Sequence, residues 1–203
     1  KGPKPDRLFV KNSTTPIVER NQACLTCHQG GKRIPWQGSA HQNRELACAT
    51  HAHGAKLFLD VVINHTGWGA TLQEQHPEWY LRDEQGSFVS PGAWGVVWED
   101  LAELDHRAPA LWEHMAVVFL EWCRRGVDGF RCDAGYKIPV PAWRYITARV
   151  QEEFPEAIFL LEGLGGSWQA TENLLTDGGM QWAYSELVQN YSRADIAKYL
   201  AYA

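Results

Sequence analysis

Two carboxylates, Asp133 and Glu162, each follow directly after a short apolar run in the sequence. The runs cover 127–132 and 157–161 and predict β-strands, and the pattern between them predicts a helix over about 141–154. In a parallel sheet, side chains at the carboxyl ends of neighbouring strands meet on one face. We therefore expect the two carboxylates to lie side by side over a cleft, an arrangement that suits the cleavage of a glycosidic bond.

A third apolar run, at 56–63, has the continuous pattern of a strand that is buried on both faces. This strand carries Asp60, and Asn64 and His65 follow it directly. The next section, 66–108, is dense in Gly, Pro and Trp. An irregular section of this length inside a compact domain indicates either a functional loop or a small subdomain.

Helices are expected to connect the predicted strands. Residues 110–125 place apolar side chains at helical spacing after Pro109, and Gly126 ends this predicted helix. A short helix over 165–177, a strand over 180–184 and a helix over 193–203 complete the pattern. Alternating strands and helices of this kind predict an α/β fold class with a parallel sheet.

The first 50 residues carry a different chemical motif, Cys24-Leu25-Thr26-Cys27-His28. The spacing C-x-x-C-H is that of c-type haem attachment, in which two thiols bond to the haem and the histidine ligates the iron. A surface cysteine pair without haem is the alternative. The segment around the motif resembles part of a multihaem cytochrome c, and this resemblance implies haem c on Cys24 and Cys27, with His28 as an axial ligand. A second such motif is broken, because His51 stands where its second cysteine would be.

The charge distribution also divides the chain near residue 50. The net charge of −5 is the sum of +5 over residues 1–50 and −10 over residues 51–203. The acidic part argues against a nucleic-acid partner, and no apolar run reaches the roughly 18 residues that a membrane span needs. No linker-like composition marks the change, so we interpret the chain as a chimera of two segments, 1–51 and 52–203.

Three short motifs in the second segment carry a family resemblance. Asp60–His65 reads DVVINH, Gly129–Ala134 reads GFRCDA and Leu160–Gly163 reads LLEG. In order and spacing they resemble three signature regions of the α-amylase family, glycoside hydrolase family 13. The resemblance implies a (β/α)8 TIM barrel in which these regions end strands three, four and five, with the insert 66–108 as domain B. The predicted fold is a partial barrel, strands three to five or six, preceded by a small irregular cytochrome-c-like segment.

The resemblance also implies roles for individual residues. Asp133 would be the nucleophile and Glu162 the general acid/base of a retaining mechanism. Arg131 would keep Asp133 ionised through charge pairing, and His65 would contact sugar hydroxyls. Asn64 would be a Ca²⁺ ligand or an ordinary turn residue. The ten tryptophans suit sugar stacking, although most tryptophans serve core packing.

The predicted function is a retaining reaction on an α-glucoside, with an oligo- or polysaccharide as substrate and either water or a sugar as acceptor. Strands one, two, seven and eight and the fourth signature region have no counterpart in the sequence, so reduced or absent activity is expected. A haem-binding electron-transfer fragment and a non-functional chimera are the alternatives. A cytoplasmic location would follow from the amylase-like part and a periplasmic one from haem attachment.

Overall fold

The computed structural model describes Ala47 and residues 50–202, which belong to one compact unit, Ala47–Ala203. The predicted haem residues Cys24, Cys27 and His28 lie outside the described residues, so the structure does not test them. Eight strands are described: β1 Phe58–Val62, β2 His65–Gly67, β3 Gly92–Ala93, β4 Val96–Val97, β5 Leu101–Glu103, β6 Gly129–Asp133, β7 Ile158–Leu161 and β8 Trp182–Ala183. The main helices are α1 Thr71–Gln75, α2 Pro109–Arg124, α3 Val140–Glu153, α4 Trp168–Thr176 and α5 Arg193–Tyr202.

Four of the strands form one parallel sheet in the order β1-β6-β7-β8. Helix α2 leads from the insert into β6, and α3 crosses from β6 to β7. The α/β fold class with a parallel sheet is thereby confirmed. The register pairs Val62 with Asp133 and Cys132 with Leu161, so the carboxyl ends of β1, β6 and β7 lie at one edge of the sheet.

Helices α2 and α3 cover one face of this sheet with their apolar stripes. On α3 the buried residues Ala142, Ile146 and Val150 recur every four positions, which places them on one helix face. The centre of the core is aromatic, with the Phe119 ring of α2 set edge-on to Phe130 of β6 at 4.7 Å between ring centroids. Phe159 of β7 and Trp143 of α3 also contact this group.

Two local signals end and begin helices where the sequence indicates. Pro109 occupies the first turn of α2, and Gly126 follows its last turn with φ +92°, a conformation that glycine adopts at low cost. Ser167 caps α4 by accepting a hydrogen bond from the Ala170 amide at 3.1 Å. Among the described residues, no helix is long and apolar enough to cross a membrane.

Strand β1 is more exposed than its sequence pattern predicts. The side chain of Asp60 is 62% exposed, and Val62 is 41% exposed. The prediction that this strand is buried on both faces is wrong for the described part of the chain. The physical reason is that β1 pairs only with β6 there and therefore forms an edge of the described sheet.

The insert between β1 and α2 contains two small antiparallel pairs, β2 with β5 and β3 with β4. The β3–β4 hairpin turns on only two residues, Trp94 and Gly95. Both have positive φ, +52° and +77° respectively. Two consecutive positive φ values are typical of a type I′ turn, in which Asn-Gly is the usual pair. Tryptophan is therefore an unusual residue at the first of these positions.

Candidate active site

Asp133 and Glu162 occupy neighbouring positions at the carboxyl edge of the sheet. Asp133 is the last residue of β6, and Glu162 follows β7 directly. Because Cys132 pairs with Leu161, the two acids are the next positions along adjacent parallel strands. Such strands lie about 4.8 Å apart.

Backbone amides fix the carboxylate of Glu162. Its Oε2 accepts a hydrogen bond from the Ala134 amide at 3.0 Å, and its Oε1 accepts one from the Leu164 amide at 3.1 Å. The residue is 7% exposed, so both contacts lie in a largely dry environment. Ala134 has φ +47°, a left-handed conformation that a residue with a side chain adopts only at an energetic cost. This conformation accompanies the contact between the end of β6 and the acid beside β7.

Arg131 joins two carboxylates. Its Nη1 donates a short hydrogen bond to Oδ1 of Asp133. The same nitrogen donates to both carboxylate oxygens of Asp60, at 2.9 and 3.0 Å. Burial acts to lower the pKa of the guanidinium, but the hydrogen bonds to Asp60 and Asp133 outweigh burial and raise it. Asp60 lies within β1 and shares this arginine with Asp133.

His65 begins β2 and stands beside the carboxylates. Its Nδ1 accepts a hydrogen bond from the Asn64 side-chain amide at 3.2 Å, which leaves the ring proton on Nε2. Burial lowers the pKa of His65, Asp133 acts in the opposite direction, and the cation of Lys137 lowers it further. The ring is therefore neutral at pH 7, and its centroid lies 5.6 Å from that of Trp98.

Tyr136 lies in the 3₁₀ turn after β6, close to the two carboxylates. Burial raises the pKa of its hydroxyl, and the negative charges of Glu162 and Asp133 raise it further. Its ring lies against Gly165, where a Cβ atom would approach the Tyr136 Oη to 2.1 Å. The run of glycines after β7 is the sequence feature that indicates this close approach. The ammonium nitrogen of Lys137 lies 3.8 Å from the Glu103 carboxylate and over the ring of Trp98.

These side chains surround a cleft of about 490 Å³. A cleft of this size accommodates a small-molecule ligand. Its walls combine the two carboxylates and Arg131 with aromatic rings from the insert and from the 3₁₀ turn after β6. The lining residues are His65, Trp94, Trp98, Asp100, Leu101, Arg131, Asp133, Ala134, Tyr136, Glu162 and Leu164.

Asn64 was predicted to be a Ca²⁺ ligand. It is buried, with 2% exposure, and its side-chain amide nitrogen faces His65. Ca²⁺ requires six to eight oxygen ligands. The described residues contain no group of three or more His, Cys, Asp or Glu side chains that could hold a metal ion. The assignment of Asn64 as a Ca²⁺ ligand stays a prediction from the resemblance.

Comparison with known proteins gives the family. A profile described as "Alpha amylase, catalytic domain" matches residues 34–196, which is most of the chain. The chain belongs to the alpha-amylase family. The profile match begins within residues 1–51, the segment that the sequence analysis assigned to a cytochrome-like part.

The chain is also similar to individual proteins of this kind. The alpha-1,4-glucan:maltose-1-phosphate maltosyltransferase of Pseudomonas aeruginosa is 30% identical over 171 residues, which are 82% of this chain and 25% of that protein. The crystal structure of an alpha-amylase from Lactobacillus plantarum has a TM-score of 0.62 at 25% identity, over 77% of this chain and 40% of that chain. This chain thus spans about a quarter of the named maltosyltransferase and less than half of the solved amylase.

The cytochrome resemblance has partial support. The multiheme cytochrome MtrA of Shewanella baltica is 42% identical over 63 residues, which are 31% of this chain and 19% of that protein. The match concerns less than a third of the chain.

Proposed function

We propose that the cleft at the carboxyl edge of the sheet carries out a retaining reaction on an α-1,4-glucan or a related α-glucoside. The observation that carries the proposal is the position of Asp133 and Glu162 on adjacent parallel strands. Adjacent parallel strands lie about 4.8 Å apart, and this closeness suits the roughly 5–5.5 Å between carboxyl groups in retaining enzymes.

In the first half of the proposed reaction, the Asp133 carboxylate attacks the anomeric carbon and forms an ester bond to the sugar. The bond from that carbon to the leaving oxygen breaks, and Glu162 gives its proton to this oxygen. Arg131 supports Asp133 as the nucleophile, because its Nη1 donates a hydrogen bond to Oδ1 and holds the carboxylate in place.

In the second half, the acceptor hydroxyl attacks the anomeric carbon while Glu162 takes its proton and the bond to Asp133 breaks. Two inversions give net retention. The neutral His65 ring, with its proton on Nε2, would donate a hydrogen bond to a sugar hydroxyl. The names of the relatives favour a sugar over water as acceptor, because several are maltosyltransferases.

The test uses α-maltosyl fluoride, whose leaving group needs no proton. Glu162→Gln should still release fluoride and should accumulate a maltosyl ester on the peptide that contains Asp133, detectable by mass spectrometry. Asp133→Asn should release no fluoride above background. Glu113→Gln removes an exposed carboxylate on α2 outside the cleft and is the matched control. If no variant and no unmodified protein forms the labelled peptide, the proposed function is wrong.

We also propose that Cys24 and Cys27 attach haem c, with His28 as an axial ligand. The spacing of the motif and the match to a multiheme cytochrome support this second candidate. A bound haem would supply one-electron transfer. Expression with haem-attachment machinery should give a Soret band that Cys24→Ser abolishes. A colourless protein would contradict haem binding, and a colourless protein without sugar labelling would leave the non-functional chimera.

A further inference from the structure

Trp94 holds an exposed position at the mouth of the candidate active site. It lies at the tip of the β3–β4 hairpin and is 71% exposed. Its backbone has φ +52°, where asparagine or glycine would be the ordinary choice. A strained and exposed indole contributes little to folding, and outliers of this kind concentrate at functional sites.

The other exposed tryptophan of the insert has a structural use that Trp94 lacks. The Nε1 of Trp68 donates to the Glu99 carbonyl at 2.8 Å, and its ring packs edge-on against Phe88. The ring of Trp98 contacts the ring of His65 and the ammonium group of Lys137. Within the described part of the chain, the Trp94 ring has neither a hydrogen bond nor an aromatic partner.

Trp94 also stands where two clefts meet. The carboxylate cleft of about 490 Å³ adjoins a second cleft of about 650 Å³, and Trp94 and Leu164 are the lining residues that the two have in common. The second cleft offers a further aromatic ring, Trp168, together with the polar groups of Glu186 and Lys198. A linear glycan that continues from one cleft into the other would pass the exposed indole.

We propose that Trp94 is a stacking platform for a glucosyl ring of an α-1,4-glucan that extends from the carboxylate cleft into the second cleft. The apolar face of a pyranose ring packs on an aromatic face, and an indole offers the largest such face among side chains. The turn adopts the strained positive φ at Trp94, and this conformation holds the indole over the path of the glycan. This inference rests on the proposed function, because it takes the substrate class from that proposal.

The experiment measures binding of maltose through maltohexaose by calorimetry, in the Asp133→Asn background so that no turnover occurs. In the parent, affinity should rise as the oligosaccharide becomes long enough to reach Trp94. Trp94→Asn should remove that rise and weaken binding of the longest sugar by about tenfold, while maltose binding changes little. The melting temperature of Trp94→Asn should stay equal or increase, because asparagine tolerates positive φ.

Val97→Ala is the matched control. Val97 lies on the same hairpin and is 60% exposed, but it lines neither cleft. Its truncation should leave the dependence on sugar length as in the parent. Equal binding of every sugar by Trp94→Asn and the parent would overturn the role of Trp94 and leave the proposed function intact. If the parent binds no sugar but still forms the maltosyl ester, the role of Trp94 is again overturned and the proposed function stays intact. Failure of both experiments would overturn both proposals.

Discussion

The guanidinium of Arg131 serves two acids at once, and the two are unequal in exposure. The side chain of Asp60 is 62% exposed, whereas that of Asp133 is 29% exposed. Solvent screens the exposed pair, so its removal should cost little. The contact with Asp133 determines the orientation of the proposed nucleophile.

We therefore expect Asp60→Asn to change the free energy of unfolding by less than about 1 kcal/mol and to leave fluoride release within a few-fold of the parent. Arg131→Lys should lower fluoride release at least about tenfold, because a flexible lysine ammonium does not reproduce the fixed position of the Nη1 that contacts both carboxylates. Rates with α-maltosyl fluoride measure both effects. A larger loss in Asp60→Asn than in Arg131→Lys would contradict this assignment.

Asp128 is an ionic contact that the sequence analysis missed. Its carboxylate, 14% exposed, accepts hydrogen bonds from Lys56 at 2.8 Å and from the Leu57 amide at 2.8 Å, and lies 2.7 Å from His51 Nε2. Partial burial acts to raise the pKa of Asp128, but these partners outweigh it and lower the pKa to about 2. The partners lie more than 70 positions away in the chain, so no local pattern reveals the cluster.

The lowered pKa predicts a pH dependence of stability. A depressed carboxyl pKa stabilises the folded state above the unfolded pKa of about 3.9, and this contribution is lost as the pH falls toward 2. Lowering the pKa from about 3.9 to about 2 corresponds to roughly 2.6 kcal/mol, since one pKa unit is about 1.4 kcal/mol. Urea unfolding of Asp128→Asn should show this loss at pH 7 and a flatter curve between pH 4 and 2. Glu84→Gln, at an exposed carboxylate, should behave as the parent does.

At the scale of elements, strand β6 depends on a glycine. A Cβ on Gly129 would lie 2.6 Å from the Phe58 ring and 2.8 Å from the backbone oxygen of Ile158. The Phe58 ring is a side chain, but the Ile158 oxygen belongs to the backbone of β7, which is paired with β6 and cannot withdraw without breaking the sheet. The glycine therefore allows the two neighbours to approach β6 closely at this level.

We expect Gly129→Ala to destabilise the protein by about 1–3 kcal/mol, as overpacking of a filled site does. Gly67→Ala is the matched control, because Gly67 lies on a strand and no atom lies within 4 Å of its added Cβ. Thermal and urea unfolding of the two variants measure the difference. Equal stability of the two would show that β6 is less tightly packed than described.

The elements that sequence periodicity predicted were those with strong local signals. Helices α2 and α3 and strands β6 and β7 begin and end within about two residues of the predicted limits, because Pro109, Gly126 and continuous apolar runs define them. The exposed state of β1 was missed because a pattern cannot tell which strands find a partner on each side. The positive φ of Trp94 was missed because a tryptophan gives no turn signal.

The candidate site was predictable to a similar degree. Asp133, Glu162, Arg131 and His65 line one cleft, as expected of residues at the ends of adjacent strands. The division of Arg131 between two acids was not predictable, because it depends on the register of β1 against β6. That register is set by tertiary packing rather than by either strand alone.

At the scale of the whole molecule, two strand edges lack a partner among the described residues. These are the outer edges of β1 and β8, near which Val62 is 41% and Trp182 is 52% exposed. Unpaired edges with apolar side chains promote association between chains. We expect sedimentation velocity to show association that increases with protein concentration.

A lysine on the edge should oppose this association, so Val62→Lys should shift the protein toward the monomer. Val117→Lys adds the same charge at a residue that is 59% exposed on α2, away from the strand edges. It should leave the association as in the parent. If both lysines act equally, net charge rather than edge pairing controls the association.

The hydrogen-bond donor that fixes Glu162 is the main-chain amide of Ala134. This affects how point mutations can change the contact. A side-chain donor can be lost by a single codon change, whereas an amide at this position persists through every substitution except proline. The donor of this contact is therefore retained through most point mutations at position 134. If catalysis were no longer under selection, mutations would remove the catalytic side chains before they removed this backbone donor.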